Sequence, residues 1–196
     1  MWEQILPGLR IKLFFTLTLG IIYPLAMTGI SQAIFPRQAN GSLVAVDGKV
    51  IGSELIGQAF TKPEYFSSRP SNAGAKGYDP LASGGFNQGP TNKKLIDRVS
   101  AAVEQFRKDN PDYHGSIPAD LVTASASGLD PHLSPAAAAV QSSRIAKLRG
   151  VPVERVKALV TQLTERPSLG ILGEPRVNVL RLNMVLDQTF PRQAVR

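Results

Sequence analysis

The chain opens with a long apolar segment. From Leu13 to Ala33 there are 21 residues without a charged side chain. As an α-helix they would span roughly 30 Å, the thickness of a bilayer hydrocarbon core. Ser31-Gln32-Ala33 resembles a signal-peptide cleavage site, but the apolar region of a signal peptide is only about 7–15 residues long. The pattern therefore predicts a retained transmembrane helix over residues 13–35.

Basic residues at the two ends of this segment predict its orientation. Arg10 and Lys12 precede it, whereas Arg37 is the only basic residue that follows it before Lys49. Cytoplasmic flanks usually carry the excess of Lys and Arg. We therefore expect a short cytoplasmic N-terminus, residues 1–12, and an extracytoplasmic domain, residues 36–196.

The membrane segment carries small and polar residues that suggest contact with other helices. Small residues four positions apart allow two helices to approach closely, and Pro24 leaves a backbone carbonyl that a neighbouring helix could satisfy. Such residues are also common in membrane helices in general. The residues that we expect to pack against a membrane partner are Thr16, Gly20, Tyr23, Gly29 and Ala33.

The pattern changes after the membrane segment to that of a mixed α/β (α+β) domain. Asp47-Gly48 between two short apolar runs predicts a β-hairpin. Three helices are predicted by apolar residues at helical spacing. They begin at a cap on Thr91, at Ser134-Pro135 and at Pro152, and the first two end at Asn110 and Gly150. Residues 177–190 fit either a helix capped by Asn178 or a strand.

The helix predicted between Thr91 and Asn110 has one apolar face, which we expect to be buried. Leu95, Ile96, Val99 and Val103 share one face with Ala102 and Phe106, whereas Arg98 and the other charged residues are expected to face outward. Residues 67–90 before it are rich in Gly, Pro, Ser and Asn. A loop of that length inside a compact domain is usually functional or disordered.

Composition excludes several classes of protein. The apolar fraction of 43% and charged fraction of 19% do not fit a disordered chain. The absence of cysteine excludes disulfides, thiolate metal ligands and a cysteine nucleophile. Lys and Arg total 22 against 15 Asp and Glu, but without a block of like charges this excess is weak evidence for nucleic-acid binding.

Serine, aspartate and histidine occur together in one segment, which raises the alternative of a membrane-anchored serine hydrolase. Ser125 and Ser127 lie close in sequence to Asp130 and His132. Nucleophilic catalysis needs a base that contacts the nucleophile, and no GxSxG motif is present. Turn and cap chemistry explains the same residues. Two histidines in the chain are too few for a typical zinc site, so no metal is expected.

A second alternative is a membrane-anchored helix-turn-helix protein that binds nucleic acid. Residues 144–160 would form two short helices joined at Gly150, with Arg155 and Lys157 on the second. A plain helical hairpin explains them equally, with Lys147 and Arg149 complementing a helix C-terminus. DNA binding would also require this domain to be cytoplasmic, opposite to the predicted orientation.

Motifs along nearly the whole chain resemble one family. They are GSELIGQAF, YFSSRPS, YDPLASGGFNQGPTN, DLVTASASGLDPHLSP and VNVLRLN, in this order after a single N-terminal span. The chain resembles the C-subunit (KdpC) family of the bacterial Kdp-type high-affinity potassium-transporting P-type ATPase. It departs from the usual family pattern at Phe86, where Ser is common, and at Ala126, where Gly is common.

The resemblance implies a non-catalytic subunit of the bacterial inner membrane. Its partners would be a potassium-channel-like subunit, a P-type ATP-hydrolysing subunit and a small single-span subunit. It implies a catalytic chaperone that raises the ATP affinity of the hydrolysing subunit in a ternary complex, with no cofactor bound firmly by the chain itself. By resemblance alone, the nucleotide-contacting residues would be Ser125, Ser127, Gly128 and Gln141.

The residues themselves favour an indirect effect on ATP. The chain contains no GxxxxGK[ST] phosphate-binding loop, and the predicted orientation places the domain opposite the ATP-binding side. An effect on ATP would then be a coupling between distant sites. Asp79, Asp120 and Asp130 could concentrate cations near a potassium entrance, or could be turn residues.

Overall fold

The computed structural model describes residues 2–191, without the side chain of Trp2. It divides the chain into two compact units, one up to Ile51 and the other from Gly52 onward. The first unit therefore contains the hairpin as well as the long N-terminal helix, and the predicted bounds of the membrane segment and of the extracytoplasmic domain stay predictions.

The first unit begins with one long helix in three parts: α1, Trp2–Leu17, a π-helical turn, Thr18–Ile22, and α2, Tyr23–Ile34. Pro24 has no N–H to donate to the carbonyl four residues back. The N–H of Tyr23 instead donates to the carbonyl of Thr18, five residues back, which is the π-helical pattern. The proline therefore explains why the helix widens here.

This helix agrees with the predicted membrane segment. Among the described residues, Glu3–Ile34 is the single helix that is long and apolar enough to cross a membrane. It begins well before residue 13, so the predicted cytoplasmic N-terminus is largely a helical extension of the span. The position of the membrane surface along the helix, and its orientation, stay predictions.

A short hydrogen-bonded segment leads from the helix to the predicted hairpin. Helix α3, Pro36–Ala39, is followed by strands β1, Leu43–Val46, and β2, Lys49–Ser53. The turn residues Asp47 and Gly48 have φ angles of 50° and 76°. Positive φ at both turn positions is the geometry of a type I′ hairpin, so the predicted hairpin is confirmed.

The second unit combines four helices with a small antiparallel sheet. The helices are α4, Lys93–Asp109, α5, Pro135–Arg149, α6, Val153–Gln162, and α7, Val179–Thr189. The strands are β3, His132–Leu133, β4, Thr164–Glu165, and β5, Arg176–Asn178, in the order β3-β5-β4. Two short 3₁₀ turns, Pro80–Ala82 and Ala119–Leu121, lie in the connections.

The helix ends follow the predicted capping residues, with one correction. Ser134 accepts a hydrogen bond from Ala137 N–H at the start of α5, and Gly150 ends that helix in the left-handed conformation. Helix α4 is capped by Asn92, not by Thr91. The side chain of Asn92 accepts from the Lys94 N–H.

Residues 177–190 are predicted to form either a strand or a helix, and the structure contains both. Asn178 lies where one changes into the other. It is the last residue of β5, paired with His132 of β3. Its side chain also caps α7 by accepting from the Arg181 N–H. A strand therefore changes into a helix at this one residue.

The core of the second unit lies between α5, α6, α7 and the sheet. Its fully buried side chains include Phe66, Leu133, Ile145, Val156, Val177, Leu182 and Leu186. Helix α4 contributes only Phe106 to the buried set, and Ile96 is exposed. The predicted apolar face of α4 is thus wrong at Ile96, since this helix packs on the core only near its C-terminal end.

Two buried amides hold an extended segment against this core. Asn183 accepts from the N–H of Phe66 and donates to its carbonyl, at 2.9 and 3.0 Å. Gln141 does the same for Ser67, at 2.8 and 3.3 Å. The two side chains satisfy backbone groups that would otherwise be paired in a sheet. They fix where the long loop after residue 67 begins.

Candidate functional site

The motif loops of the second unit meet on one side of the domain. We call residues 67–89 together with residues 123–132 the motif surface. The Gly84 N–H donates to the Ser127 carbonyl at 2.8 Å, and the Ser83 hydroxyl donates to the same oxygen at 3.1 Å. Segments more than 40 residues apart are therefore joined by their backbones, and the long glycine-rich loop is ordered against its partner.

The hydroxyl of Ser71 connects the two segments of the motif surface. It donates to the Gly128 carbonyl at 2.6 Å and accepts from the N–H groups of Ala73 and Tyr78 at 3.1 and 2.8 Å. The hydroxyl of Tyr78 in turn donates to the Arg69 carbonyl at 2.6 Å. Burial raises the pKa of Tyr78 to about 12, so the phenol stays protonated and keeps donating.

Glycine is required where the two segments cross. Gly128 has a φ of 67°, and a Cβ atom there would lie 2.9 Å from the Gly84 carbonyl oxygen and 3.0 Å from the Ala73 nitrogen. A Cβ on Gly85 would lie 2.9 Å from the Ala126 carbonyl oxygen. All three distances are shorter than ordinary Cβ contacts, so the glycines permit the close approach of the two backbones.

Asp130 is the main charged group of the motif surface. Its carboxylate accepts from Arg69 Nη1 at 2.9 Å and from the His132 N–H at 3.0 Å, and His132 Nδ1 lies 3.5 Å away. Burial by itself would raise the pKa of Asp130. The hydrogen bonds from His132 and the charge of Arg69 outweigh that effect, so its pKa lies below the ordinary value.

The serines near Asp130 are turn residues in this structure. Ser125 Oγ accepts from the Gly128 N–H at 3.0 Å, and Ser127 Oγ accepts from the Leu129 N–H at 3.1 Å. His132 lies against Asp130 and pairs with Asn178 in the sheet. Within residues 123–132 the geometry is that of capped turns, and it favours the turn interpretation over the hydrolase alternative.

The four residues assigned to nucleotide contact by resemblance fall into two places. Ser125, Ser127 and Gly128 lie in one turn of the motif surface. Gln141 lies buried on α5, where its oxygen accepts from Ser67 N–H and from Arg144 Nη2. The structure thus gives Gln141 a role in supporting the loop, while nucleotide contact at these residues stays a prediction.

The acidic loop residues are used for backbone capping. Asp79 Oδ1 accepts from the Leu81 N–H at 2.9 Å, and Asp120 Oδ2 accepts from the Ser134 N–H at 2.7 Å. Together with Asp130, all three match the turn alternative. Among the described residues, no group of three His, Cys, Asp or Glu side chains could hold a metal ion.

Two open cavities of about 540 Å³ each lie on the motif surface, and the Phe86 ring lines both. Arg69 and Tyr78 line the first cavity, and Arg98 lines the second. The Arg98 guanidinium lies 3.4 Å from the centroid of the Phe86 ring and donates to Gln88 Oε1 at 2.7 Å. The prediction that Arg98 faces outward is therefore wrong: its side chain is half-buried, because the guanidinium stacks on the Phe86 ring.

The most exposed apolar residue of the motif surface is Leu81. It lies in the short 3₁₀ turn Pro80–Ala82, and its side chain is 95% exposed. The carboxylate of Asp79 caps this turn and so fixes the direction of the leucine. Single exposed leucines are common on protein surfaces, so Leu81 by itself does not indicate a contact site; it marks where a partner at the motif surface would meet an aliphatic side chain.

Comparison with known proteins identifies the family to which these motifs belong. A family model described as "KdpC: K+-transporting ATPase, c chain" matches residues 5–188. The chain belongs to the KdpC family. A relative from Polaromonas naphthalenivorans is 54% identical over 184 residues, which cover 93% of this chain and 94% of the relative. One from Rhodospirillum rubrum is 53% identical over 191 residues, with 97% and 98% covered.

Both relatives carry the name "Potassium-transporting ATPase KdpC subunit". The residues matched by the family model include nearly all of the long apolar helix and all parts of the motif surface. The family resemblance inferred from the motifs is thereby confirmed over nearly the full chain.

In the helix-turn-helix alternative the basic residues are Arg155 and Lys157, and both are exposed on α6. Lys147 and Arg149, which belong to the plain helical hairpin, have partners within the chain. Arg149 is buried, where its Nη1 donates to the Phe190 carbonyl at 2.8 Å. Lys147 pairs with Asp112 at 3.3 Å, and the Arg155 guanidinium lies 4.8 Å from the centroid of the Phe190 ring. Helices α5 and α6 thus form a hairpin within the core, and Arg149 is not available to a nucleic acid.

The residues predicted to pack on a membrane partner remain accessible on the long helix. All of them are exposed: Thr16, Gly20, Tyr23, Gly29 and Ala33. The nearest atom to a Cβ built on Gly20 is Thr16 Cγ2 at 4.0 Å, and a Cβ on Gly29 would meet nothing within 4 Å. These positions leave room for a neighbouring helix, and packing there stays a prediction.

Proposed function

We propose that the chain is a non-catalytic accessory subunit of an ATP-driven potassium uptake complex, needed for its assembly and stability. The observation that carries this proposal is the motif surface. Its loops are joined by a backbone hydrogen bond and by the Ser71 hydroxyl, its serines serve turns, and it presents Leu81 to solvent. Such an arrangement suits binding of a protein partner better than catalysis.

The partners in this proposal are a potassium-channel-like subunit, a P-type ATP-hydrolysing subunit and a small single-span subunit. The membrane helix packs on partner helices through the small residues around Gly20 and Gly29. The second unit lies outside the cytoplasm, where the motif surface docks beside the potassium entrance of the channel-like subunit. The flanking charges of the helix support this orientation.

An effect on ATP follows in this proposal from coupling between distant sites. A subunit that binds one conformation of the complex more tightly than another shifts the conformational equilibrium of the whole complex. If the favoured conformation binds ATP better, the subunit raises ATP affinity, and ATP raises the affinity for the subunit by the same factor. The ternary complex is then the state that all these contacts stabilise.

Membrane topology is the first test of the proposal. Paired reporters fused to the C-terminus, one active only in the periplasm and one only in the cytoplasm, should show a periplasmic C-terminus. A cytoplasmic C-terminus would contradict the proposed docking site. It would also make direct contact with the ATP-hydrolysing subunit physically reasonable.

Docking through the motif surface is tested with two matched leucines. Leu81→Ser should lower recovery of the complex on an affinity tag carried by this chain by about tenfold, since a buried leucine contributes roughly 1.5–3 kcal/mol. Leu169 is 89% exposed but lies outside the motif surface, so Leu169→Ser should leave recovery unchanged. Equal recovery with both variants would contradict docking at Leu81.

A further inference from the structure

The π-helical turn leaves one backbone carbonyl of the long helix without a donor from the helix backbone. In an α-helix the carbonyl of Leu19 would accept from the N–H of Tyr23, and in a π-helix it would accept from the N–H of residue 24. The Tyr23 N–H donates to the Thr18 carbonyl instead. Residue 24 is a proline, which has no N–H. Neither helical pattern therefore provides a donor for the Leu19 carbonyl.

Side chains of the same helix cannot supply this donor. A helical side chain that donates to its own helix reaches the carbonyl three or four residues before it. For Leu19 those side chains belong to Ile22 and Tyr23. Isoleucine has no donor, and the Tyr23 hydroxyl lies at the far end of a rigid ring whose side chain is exposed. The donor must therefore come from outside the helix.

Leu19 lies in the middle of the helix, where a membrane span is deepest in hydrocarbon. The apolar helix Glu3–Ile34 has 32 residues and is roughly 48 Å long, so Leu19 is roughly 24 Å from either end. A hydrocarbon core about 30 Å thick contains that midpoint wherever the helix crosses it. The core holds no water, and lipid tails have no hydrogen-bond donors. In a membrane, only another protein segment can supply the donor.

Gly20 makes the carbonyl accessible to a neighbouring helix. The peptide group that carries the Leu19 carbonyl also contains the Gly20 nitrogen, and Gly20 has no side chain to cover it. A Cβ built on Gly20 would meet only Thr16 Cγ2, at 4.0 Å. Glycine at such a position lets a second helix approach closely, and hydroxyl and amide side chains donate hydrogen bonds across membrane helices.

We propose that the Leu19 carbonyl accepts a hydrogen bond from a hydroxyl or amide side chain on a membrane helix of another subunit of the complex. Pro24 acquires a role in binding, because its missing N–H keeps this carbonyl available to the partner. The proposal rests on the proposed function, since it requires a helix that spans the membrane and a partner subunit beside it.

Solid-state NMR of the full chain in lipid bilayers measures this carbonyl directly. The chain is labelled with ¹³C at the leucine carbonyls and with ¹⁵N at glycine, and is then assembled with unlabelled partners. Each Leu-Gly bond gives one carbon–nitrogen signal, and the chain has these bonds at Leu19-Gly20, Leu169-Gly170 and Leu172-Gly173. Leu19→Ile removes the first signal and so assigns it. The Leu172 carbonyl already accepts from the Ser168 N–H at 2.8 Å and is the internal reference.

The Leu19 signal should move downfield in the complex relative to the chain alone, because acceptance of a hydrogen bond deshields a carbonyl carbon. The Leu172 signal should stay in place. An unmoved Leu19 signal in an intact complex would overturn the contact. A downfield position already present in the chain alone would assign the donor to a second copy of this chain, and would overturn the contact with another subunit.

Two matched proline substitutions provide an independent measurement. Pro24→Ala restores the missing N–H, so the α-helical pattern can pair the Leu19 carbonyl within the helix. Recovery of the complex should fall about threefold, the effect of an average hydrogen bond between membrane helices. Pro7 also lies within the helix, but the carbonyl four residues before it is that of Glu3, in the first turn. Pro7→Ala should therefore leave recovery unchanged.

The outcomes separate this contact from the proposed function. Equal recovery with Pro24→Ala and with the unchanged chain would overturn the carbonyl contact alone. Failure of the unchanged chain to recover any partner would overturn this contact and the proposed function together.

Discussion

Arg149 Nη1 lies 2.7 Å from Asp187 Oδ1, with the arginine side chain only 1% exposed and the carboxylate still reaching solvent. The same guanidinium donates to the Phe190 and Glu64 carbonyls. The other carboxylate oxygen, Asp187 Oδ2, accepts from the Tyr65 hydroxyl at 2.6 Å. One buried cation thus joins the end of α5 to α7 and to the segment that immediately precedes the motif surface.

Replacement of Arg149 should destabilise the second unit. Arg149→Met leaves a carboxylate and two carbonyl groups without their cationic partner, and we expect a loss of about 2–3 kcal/mol in the free energy of unfolding. Thermal melting of the detergent-solubilised chain measures the effect. Lys157→Met, at an exposed position of α6, should change the stability by less than about 0.5 kcal/mol. Similar melting of both variants would contradict a structural role for the buried arginine.

The depressed pKa of Asp130 predicts a loss of stability in acid. A carboxyl group with a pKa below its ordinary value in the folded state stabilises that state while it is ionised. The contribution is present above the ordinary carboxyl pKa of about 4 and is lost as the pH falls below it. In Asp130→Asn the contribution is absent at every pH. Its melting temperature should therefore lie below that of the unchanged chain at pH 7 and approach it near pH 3.

Asp112→Asn is the control for this pH dependence. Asp112 pairs with Lys147 at 3.3 Å, but both side chains are exposed, and such pairs contribute little to stability. The control should therefore follow the unchanged chain across the whole pH range. A constant difference between Asp130→Asn and the unchanged chain from pH 7 to pH 3 would show that ionisation of Asp130 is not the cause.

Two neighbouring glycines of the motif surface should respond differently to a methyl group. Gly128→Ala introduces a left-handed alanine, at a cost of about 1–2 kcal/mol, and also a steric clash with Gly84 and Ala73. A Cβ on Gly84 would meet nothing within 4 Å, so Gly84→Ala serves as the control. We expect Gly128→Ala alone to lower both the melting temperature and recovery of the complex. Normal recovery with Gly128→Ala would show that docking does not need this crossing of the loops.

Bulky residues in the membrane helix should weaken contact with the partner subunits. Gly20→Ile together with Gly29→Ile fills the space at two exposed small positions. We expect about tenfold less complex on affinity purification. Leu25→Ile, also on the exposed helix surface, keeps the side-chain volume and should have no effect. Unchanged recovery with the two bulky substitutions would rule out packing at these glycines.

The stacked pair of Phe86 and Arg98 can be tested with two substitutions at Phe86. Phe86→Ser removes the ring beneath the guanidinium, and we expect a loss of about 0.5–1 kcal/mol in stability. Phe86→Leu keeps the position apolar without an aromatic face, so it should lose the same cation–π contribution. Chemical denaturation of the detergent-solubilised chain measures both. Full stability with leucine would assign the contribution of Phe86 to apolar packing alone.

Several features could be predicted because they depend on neighbouring residues in the chain. The Asp47-Gly48 turn, the cap at Ser134 and the left-handed Gly150 all have local geometric causes. The apolar helix required only length and composition. By contrast, the cap of α4 was misplaced by one residue, because Thr91 and Asn92 are both suitable caps and local pattern does not choose between them.

The motif surface illustrates what local pattern cannot provide. The sequence alone identified its motifs, and with them the family, but not that residues 67–89 would lie against residues 123–132. Arg69 donates a hydrogen bond to Asp130, which is 61 residues away in the sequence. Gln141 accepts one from the N–H of Ser67, which is 74 residues away. Spacing along the chain does not encode such distant pairs.

The sequence by itself therefore determined the long apolar helix, the order of most elements and the family. Tertiary structure decided that Arg149 would be buried, that Arg98 would stack on Phe86, and that Gln141 would support a backbone segment. The physical reason is the same in each case. Burial and pairing of a polar side chain depend on which distant groups reach it after the core of α5, α6 and α7 has formed, whereas caps and turns depend on residues only a few positions away.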